Sequence, residues 1–322
     1  MRLALIGYGH VGRALATLIE RKRRIYPFRI VGIHTARHGT AYDSAGLPLE
    51  PQFGQAAASV NDFLERAQCD VAVEITTLNP ATGEPAISHI RTAFARKCHV
   101  VTANKGPIAH AYADLRDEAA RARVGFRFES AVMDGAPVFN LWRPCLPAVQ
   151  VLGFTGVLNS TSKVVIETME RGGSFEDGIA AAREMGITEA DGAFDIEGWD
   201  SAAKTAALAN VLMDARVTPQ QVSTRGITRL TPERVQEMRS QGKTVRLVSR
   251  GRRTKAGVSL RVRAEVLDRG DVLAATPGTS NLILFHTDLM GTFGTVSIEP
   301  GVQETAYGVF SDLVSLRQAV IQ

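Results

Sequence analysis

The feature that most restricts what this chain can fold into stands within its first twelve residues. The apolar run Leu3-Ala-Leu-Ile6 leads into Gly7-Tyr-Gly9-His-Val-Gly12, and a stretch with apolar residues at helical spacing follows. In a strand–turn–helix unit the first glycine permits the tight turn, the second lets a bound group approach the backbone, and the third lets helix and strand pack closely. The helix then aims unpaired N–H groups and the positive end of its dipole at the turn, which suits the phosphates of a dinucleotide. Three glycines at this spacing also occur in plain turns. Here the strand before them and the amphipathic helix after them favour the dinucleotide reading.

The next hundred or so residues repeat the alternation. Leu3–Gly7, Ile30–His34, Val71–Ile75, His99–Thr102 and Phe126–Phe128 read as strands, and Val11–Arg23, Asn61–Ala67, Glu84–Arg96 and Ala111–Arg123 read as helices. That order predicts an α/β fold, a Rossmann-type doubly wound parallel sheet. From Pro137 the texture changes. A helix-like stretch at Phe139–Cys145 precedes a strand at Val151–Val157, helices at Lys163–Arg171 and Phe175–Met185, and an Ala-rich helix at Asp200–Met213. Strand-like segments follow at Thr244–Ser249, Ser259–Val266 and Asn281–His286, and Glu304–Ile321 reads as a helix. This is the pattern of a second, α+β domain.

A chain of 322 residues with 45% hydrophobic content can bury a full core. The net charge of +4 is small, and the basic residues are scattered. The densest run, Arg21-Lys-Arg-Arg24, falls where the first helix should end and where cations complement the dipole. Nucleic acid is therefore not an expected partner. No leader pattern opens the sequence and no apolar run approaches the ~18 residues of a membrane span. The three cysteines lack metal-site or CxxC spacing. A cytoplasmic location and no membrane partner are expected.

Dinucleotide folds that take NAD usually place a carboxylate about 20 residues after the loop to hold the ribose hydroxyls. This chain has His34-Thr35-Ala-Arg37-His38 there. A 2′-phosphate would find partners in Thr35 and Arg37, so NADP(H) is favoured over NAD(H); the alternative is a solvated Arg37 on a loop.

Two polar clusters stand out further on. Thr102-Ala-Asn-Lys105-Gly-Pro follows a strand whose carboxyl end should border the nucleotide crevice. By position alone Lys105 fits a substrate or proton role and a surface role equally. The denser cluster is Glu189-Ala-Asp191-Gly-Ala-Phe-Asp195-Ile-Glu-Gly198-Trp-Asp200-Ser-Ala-Ala-Lys204. Asp200 and Lys204 are four apart with the acid first, so they share a helix face and can pair. A solvated ion pair is the plain reading, but the apolar helix beyond them suggests a buried one, and buried charges need partners. No histidine pair at metal spacing and no GxSxG competes.

Together these motifs resemble homoserine dehydrogenase. The resemblance covers the glycine loop, Thr-Ala-Asn-Lys at 102–105, the spacing Ala182…Gly186…Asp191…Asp195-Ile-x-Gly198-x-Asp200…Lys204, and the stretch from Thr305-Ala306 to Ser311-Asp312-Leu313. It implies an oxidoreductase that interconverts L-homoserine and L-aspartate 4-semialdehyde by hydride transfer with NAD(P)(H), in threonine and methionine biosynthesis. It implies that Lys105 and Lys204 are the catalytic lysines, with Lys204 relaying the proton and Lys105 polarising the carbonyl. Glu189 would hold the substrate amino group, with Asp195 and Asp200 as polar neighbours and Thr161 in the substrate loop. Cofactor contacts would come from Gly7, Gly9, His10, Val11, Gly12, Thr35, Arg37, Thr76 and Lys105, and a monovalent cation region from Glu129 and Val132. The implied organisation is a dinucleotide-binding domain at 1–135, completed by a helix at 303–322, and a substrate-binding and dimerisation domain at 136–302. A homodimer without an ACT-type regulatory domain is expected.

Several positions depart from the family pattern. Asn159-Ser160-Thr161-Ser162-Lys163 replaces Asn-Gly-Thr-Thr-Asn, Gly192 replaces proline, Glu299-Pro-Gly-Val-Gln303 replaces a Gly-Pro-Gly-Ala-Gly turn, and Asp134 is unusual in the cation region. These changes keep two alternatives open, a related small amino- or hydroxy-aldehyde as substrate and a non-catalytic dinucleotide-binding protein. Retention of both lysines argues against the second.

Overall fold

A computed structural model describes residues 1–142, 145–188, 192–276 and 278–321. The chain forms two compact units, Met1–Asn140 with Gly301–Gln322, and Leu141–Pro300.

The first unit contains, in chain order, β1 (Arg2–Ile6), α1 (His10–Lys22), β2 (Arg29–Thr35), β3 (Gly39–Tyr42), α2 (Val60–Ala67), β4 (Val71–Glu74), α3 (Ala86–Ala95), β5 (His99–Thr102), α4 (Lys105–Ala122), β6 (Phe126–Arg127) and α5 (Ser130–Met133). Its six strands lie in the order β3-β2-β1-β4-β5-β6. β1, β2, β4, β5 and β6 run parallel, and β1 is wholly apolar from Leu3 to Ile6 because both faces of the sheet are covered. This is the expected Rossmann-type α/β arrangement, with one antiparallel strand added at its edge: β3, which the sequence did not mark, turns back on β2 across a tight turn at residues 36–38. A correction concerns α4, which begins at Lys105 rather than Ala111. Asn104 caps it, its side-chain oxygen accepting the Gly106 N–H at 3.0 Å, and Pro107 sits in the first turn where its missing N–H leaves no helical bond unmade. The helix is interrupted at Ala111, whose φ of −141° is not helical.

The second unit runs through β7 (Val151–Val157), α6 (Ser160–Glu170), α7 (Phe175–Glu184), α8 (Ala193–Ile196), α9 (Trp199–Leu212), β8 (Ser223–Arg225), α10 (Pro232–Ser240), β9 (Lys243–Thr254), β10 (Gly257–Asp268), β11 (Asn281–Thr287) and β12 (Thr292–Ser297). The strands order as β12-β11-β7-β9-β10-β8, all neighbours antiparallel except β8 beside β10. α6, α9 and α10 pack against β9. The expected helix at Phe139–Cys145 is a single 3₁₀ turn, Asn140–Trp142, and Arg143 and Pro144 lie outside the described residues.

The chain then returns to the first unit as α11 (Val302–Ile321). Its Ala306, Val309, Phe310, Leu313 and Leu316 share one core with Leu15 and Ile19 of α1, Phe28, and Leu3 and Leu5 of β1. Among the described residues no helix is long and apolar enough to cross a membrane.

Candidate active site

In the first unit the expected cofactor residues Gly7, Gly9, His10, Val11, Gly12 and Thr76 lie at the carboxyl ends of β1 and β4, while Thr35 and Arg37 lie at the end of β2 and Lys105 opens α4 after β5. Gly7 has φ +104°, and a Cβ on it would lie 2.6 Å from the Ile75 carbonyl oxygen, so the turn needs glycine twice over. Gly9 is the opposite case: nothing lies within 4 Å of where its Cβ would be. That open side leads to the N-terminus of α1, which has no side-chain cap and no acidic residue in its first turn. His10 and Val11 open the helix, and Gly12 packs its α-carbon close to Tyr8 and Ile75. A helix N-terminus with no side-chain cap and no acidic residue in its own first turn fits a pyrophosphate. These residues therefore suit a dinucleotide.

Sequence reasoning passed over the carboxylate that organises this end of the sheet. Glu74 closes the apolar strand Val71-Ala-Val and is 1% exposed. It accepts hydrogen bonds from the Thr76 N–H at 3.0 Å, from the Thr76 hydroxyl, and from the Thr102 hydroxyl at 2.8 Å, with His89 Nδ1 4.0 Å away. Thr102 Oγ1 in turn accepts the Asn104 N–H at 3.0 Å. Glu74 thus fixes both Thr76 and the turn that starts the Lys105 helix. A charged residue ending a strand buried on both faces was the available signal, because a buried carboxylate must find donors. Glu74→Ala leaves these donors unpaired, and denaturant melts are expected to show a loss of about 3 kcal/mol of stability. A loss within ~0.5 kcal/mol, the ordinary surface range, would remove Glu74 from that role.

At the end of β2 the Thr35 hydroxyl is engaged inside the turn: Oγ1 accepts the His38 N–H at 2.9 Å and donates to the Gly39 carbonyl at 3.3 Å. Arg37 is exposed. The His34 imidazole is held below its usual range, chiefly by burial and then by His89. That disfavours the charged imidazole, and Arg37 carries a permanent positive charge in this stretch.

The expected cation region, Glu129 and Val132, lies at α5. The Glu129 carboxylate accepts the N–H groups of Val138, Phe139 and Asn140 at 2.5, 2.8 and 2.6 Å, pinning that loop, and Val132 is buried in α5. Asp134 accepts the Thr305 hydroxyl at 3.1 Å. Among the described residues no group of three or more His, Cys, Asp or Glu is placed to hold a metal.

In the second unit Thr161, Asp195, Asp200 and Lys204 converge. Lys204 Nζ lies 3.2 Å from Asp200 Oδ2 and donates to the Leu158 carbonyl at 2.6 Å. Both side chains are largely buried because α9 is sunk in its unit from Asp200 to Asn210. Asn159, which the sequence did not single out as a site residue, joins the two acids. Its side-chain oxygen caps α6 by accepting the Ser162 N–H at 2.7 Å, which turns its NH₂ toward Asp195 at 2.7 Å and Asp200 at 3.0 Å. Asp195 also accepts the hydroxyls of Thr161 at 3.1 Å and Thr188 at 3.2 Å. Burial and then the neighbouring Asp200 push the Asp195 carboxyl above its usual range, against the pull of Asn159, Lys204 and Thr161. Glu189 and Asp191 lie outside the described residues. The cluster can hold an ammonium group among its acids and keep a lysine proton ready for transfer.

A nucleotide cradle of this kind, on a Rossmann-type sheet in a chain that also carries a buried acid–lysine cluster, defines an NAD(P)-dependent oxidoreductase. Two family profiles match, one described as homoserine dehydrogenase over residues 137–314 and one as homoserine dehydrogenase, NAD binding domain, over residues 7–129. The chain belongs to the homoserine dehydrogenase family. It is 35% identical to the NAD(+)-dependent homoserine dehydrogenase of Pseudomonas canavaninivorans, with 99% of this chain and 96% of that one covered. Among solved structures it is similar to a putative homoserine dehydrogenase of Archaeoglobus fulgidus, with TM-score 0.87, 27% identity, and 98% and 99% of the two chains covered. It is also similar to a hyperthermophilic archaeal homoserine dehydrogenase mutant in complex with NADPH, with TM-score 0.83, 26% identity, and 99% and 98% covered.

Proposed function

We propose that this chain reduces L-aspartate 4-semialdehyde to L-homoserine and catalyses the reverse oxidation, as a step in threonine and methionine biosynthesis in the cytoplasm. The observation that carries the residue roles is the buried Asp200–Lys204 pair beside Asp195 and Asn159. When bound, a nicotinamide supplies hydride to the aldehyde carbon or takes it from the alcohol. Lys204 gives its proton to the alkoxide oxygen formed by reduction, and Asp200, 3.2 Å from its Nζ, holds the ammonium in place. Lys105 polarises the carbonyl. Thr161, Asp195 and Glu189 hold the amino-acid end, Glu189 by its charge on the ammonium group. Gly7, Gly9, His10, Val11, Gly12 and Thr76 hold the nucleotide. The second unit is the substrate-binding and dimerisation domain, and the working form is a homodimer.

The test is direct. Purified protein given homoserine with NADP⁺ or NAD⁺ at alkaline pH is expected to generate reduced cofactor, followed by its absorbance. Tight nucleotide binding without turnover with either cofactor would sink the assignment.

NADP(H) is the favoured cofactor. Supporting this are the absence of a carboxylate in the stretch after β2 and the exposed Arg37 within it. Arg37→Ala is expected to raise KM for NADP⁺ roughly tenfold, the loss of one charge-assisted phosphate contact, with KM for NAD⁺ unchanged. Equal effects on both cofactors would contradict it.

A further inference from the structure

Of the positions that depart from the family pattern, two neighbours in one helical turn, Ser160 and Lys163, and a third far along the chain, Glu299, meet on one short segment of the second unit. Ser160 Oγ donates to the Thr279 carbonyl at 2.8 Å. The Lys163 ammonium donates to the next carbonyl, that of Ser280. The Glu299 N–H donates to Ser280 Oγ at 3.1 Å. Ser160 and Lys163 belong to the first turn of α6, directly after Asn159, and the same turn carries Thr161.

Lys163 is not a surface residue that happens to reach a carbonyl. It is 1% exposed and faces Glu167 on its own helix and Arg246 on β9. Arg246 lies 3.2 Å from Glu167 and 3.7 Å from Glu170, and Thr244 donates to Glu170. Burial first of all lowers the Lys163 amine to about 8, with Arg246 adding to the effect and Glu167 opposing it. An aliphatic side chain would fill this place without desolvating a charge. The lysine adds a hydrogen bond from the start of α6 to Ser280. Because Asn159 spans Asp195 and Asp200 and Thr161 bonds Asp195, any shift of that turn moves the polar groups assigned to the substrate.

We propose that Lys163 and Ser160 form a clasp on Thr279 and Ser280 that sets the position of the Asn159–Thr161 turn, making Lys163 a positioning residue for the amino-acid substrate. The substrate half of this statement rests on the homoserine reading above; the clasp itself does not.

The experiment compares the full chain with Lys163→Met and Ser160→Ala by steady-state kinetics and by hydrogen exchange. Lys163→Met is expected to raise KM for homoserine about tenfold, with kcat within about twofold and KM for NADP⁺ unchanged, because a displaced binding group affects the substrate it holds. Ser160→Ala, which removes one neutral bond, should raise KM about threefold. The amides of 279–282 should exchange faster in both variants while those of β9 do not. Unchanged KM for homoserine alongside a lowered melting temperature would mean that Lys163 only supports the fold, and would overturn the proposal. If Lys163→Met does not fold, Ser160→Ala decides by the same two readouts. If the unsubstituted protein does not turn over homoserine, the reaction assignment falls, and exchange decides the clasp: faster exchange at 279–282 sustains it and unchanged exchange rejects it.

Discussion

Lys204→Met is expected to lower kcat by about 10³-fold with the protein still folded and still binding nucleotide. General acid–base catalysis contributes typically 10²- to 10⁴-fold, and the thioether keeps the length of the side chain while removing its proton. The substitution also has a signature in stability. Lys204 is one of the groups that pull the Asp195 carboxyl back down against burial and Asp200. Without it the folded-state pKa of Asp195 rises further above its unfolded value. A folded state that holds a proton which the unfolded state has released gains stability at low pH and loses it as pH climbs through the folded pKa. Thermal melts of Lys204→Met should therefore fall with rising pH across the carboxylate range more steeply than those of the parent. Turnover within a few fold of the parent would remove Lys204 from the proton path, whatever the melts show.

The second large effect is expected at Gly7. Gly7→Ala places a methyl group 2.6 Å from the Ile75 carbonyl oxygen in a residue with φ +104°, where L side chains are strained even with space available. The two penalties together are expected to take roughly 3 kcal/mol from the first unit, a drop in melting temperature of about 10 °C. Relief by backbone movement would shift Ile75 and Thr76, so nucleotide affinity should fall with stability. Gly9→Ala is the internal control. Its methyl group enters open space in the protein alone, so stability should hold while nucleotide binding weakens. Parallel loss of stability and binding in Gly9→Ala would show that the two glycines do not divide the work in this way. Calorimetry and nucleotide titration of the two variants supply the comparison.

The contrast between these glycines shows which parts of the molecule could be read in advance. Gly7, Gly9 and Gly12 act through neighbours close in the chain or on the adjacent strand, and a local motif reports such arrangements. The parallel strands of the first unit were legible for the same reason, since each apolar run is buried on both faces. β3 was not: four residues, Gly39–Tyr42, with glycine and threonine among them, carry too little periodicity to mark a strand. The start of α4 was misplaced because Gly106-Pro107 reads as a turn, although proline is welcome in a first helical turn. The Asp200–Lys204 pair was readable from its four-residue spacing. The bridge made by Asn159 was not, because it spans segments about forty positions apart, and neither was the clasp, whose partners are separated by 117 and 119 positions. Glu74 lay between these cases, announced by chemistry and not by spacing.

The return of α11 to the first unit has a consequence for the order in which the molecule can be made. Leu15 and Ile19 emerge early in synthesis, but Val309, Phe310 and Leu313, which share their core, emerge only after every residue of the second unit. Asp312, which accepts the Glu129 N–H at 2.7 Å and the Asn140 side-chain NH₂ at 2.9 Å, arrives equally late. The nucleotide-binding unit therefore waits, with one side of its apolar interior uncovered, while the inserted unit has its whole sequence available and can fold first. On the ribosome, of these two units, the one that is begun first is the one that is finished last.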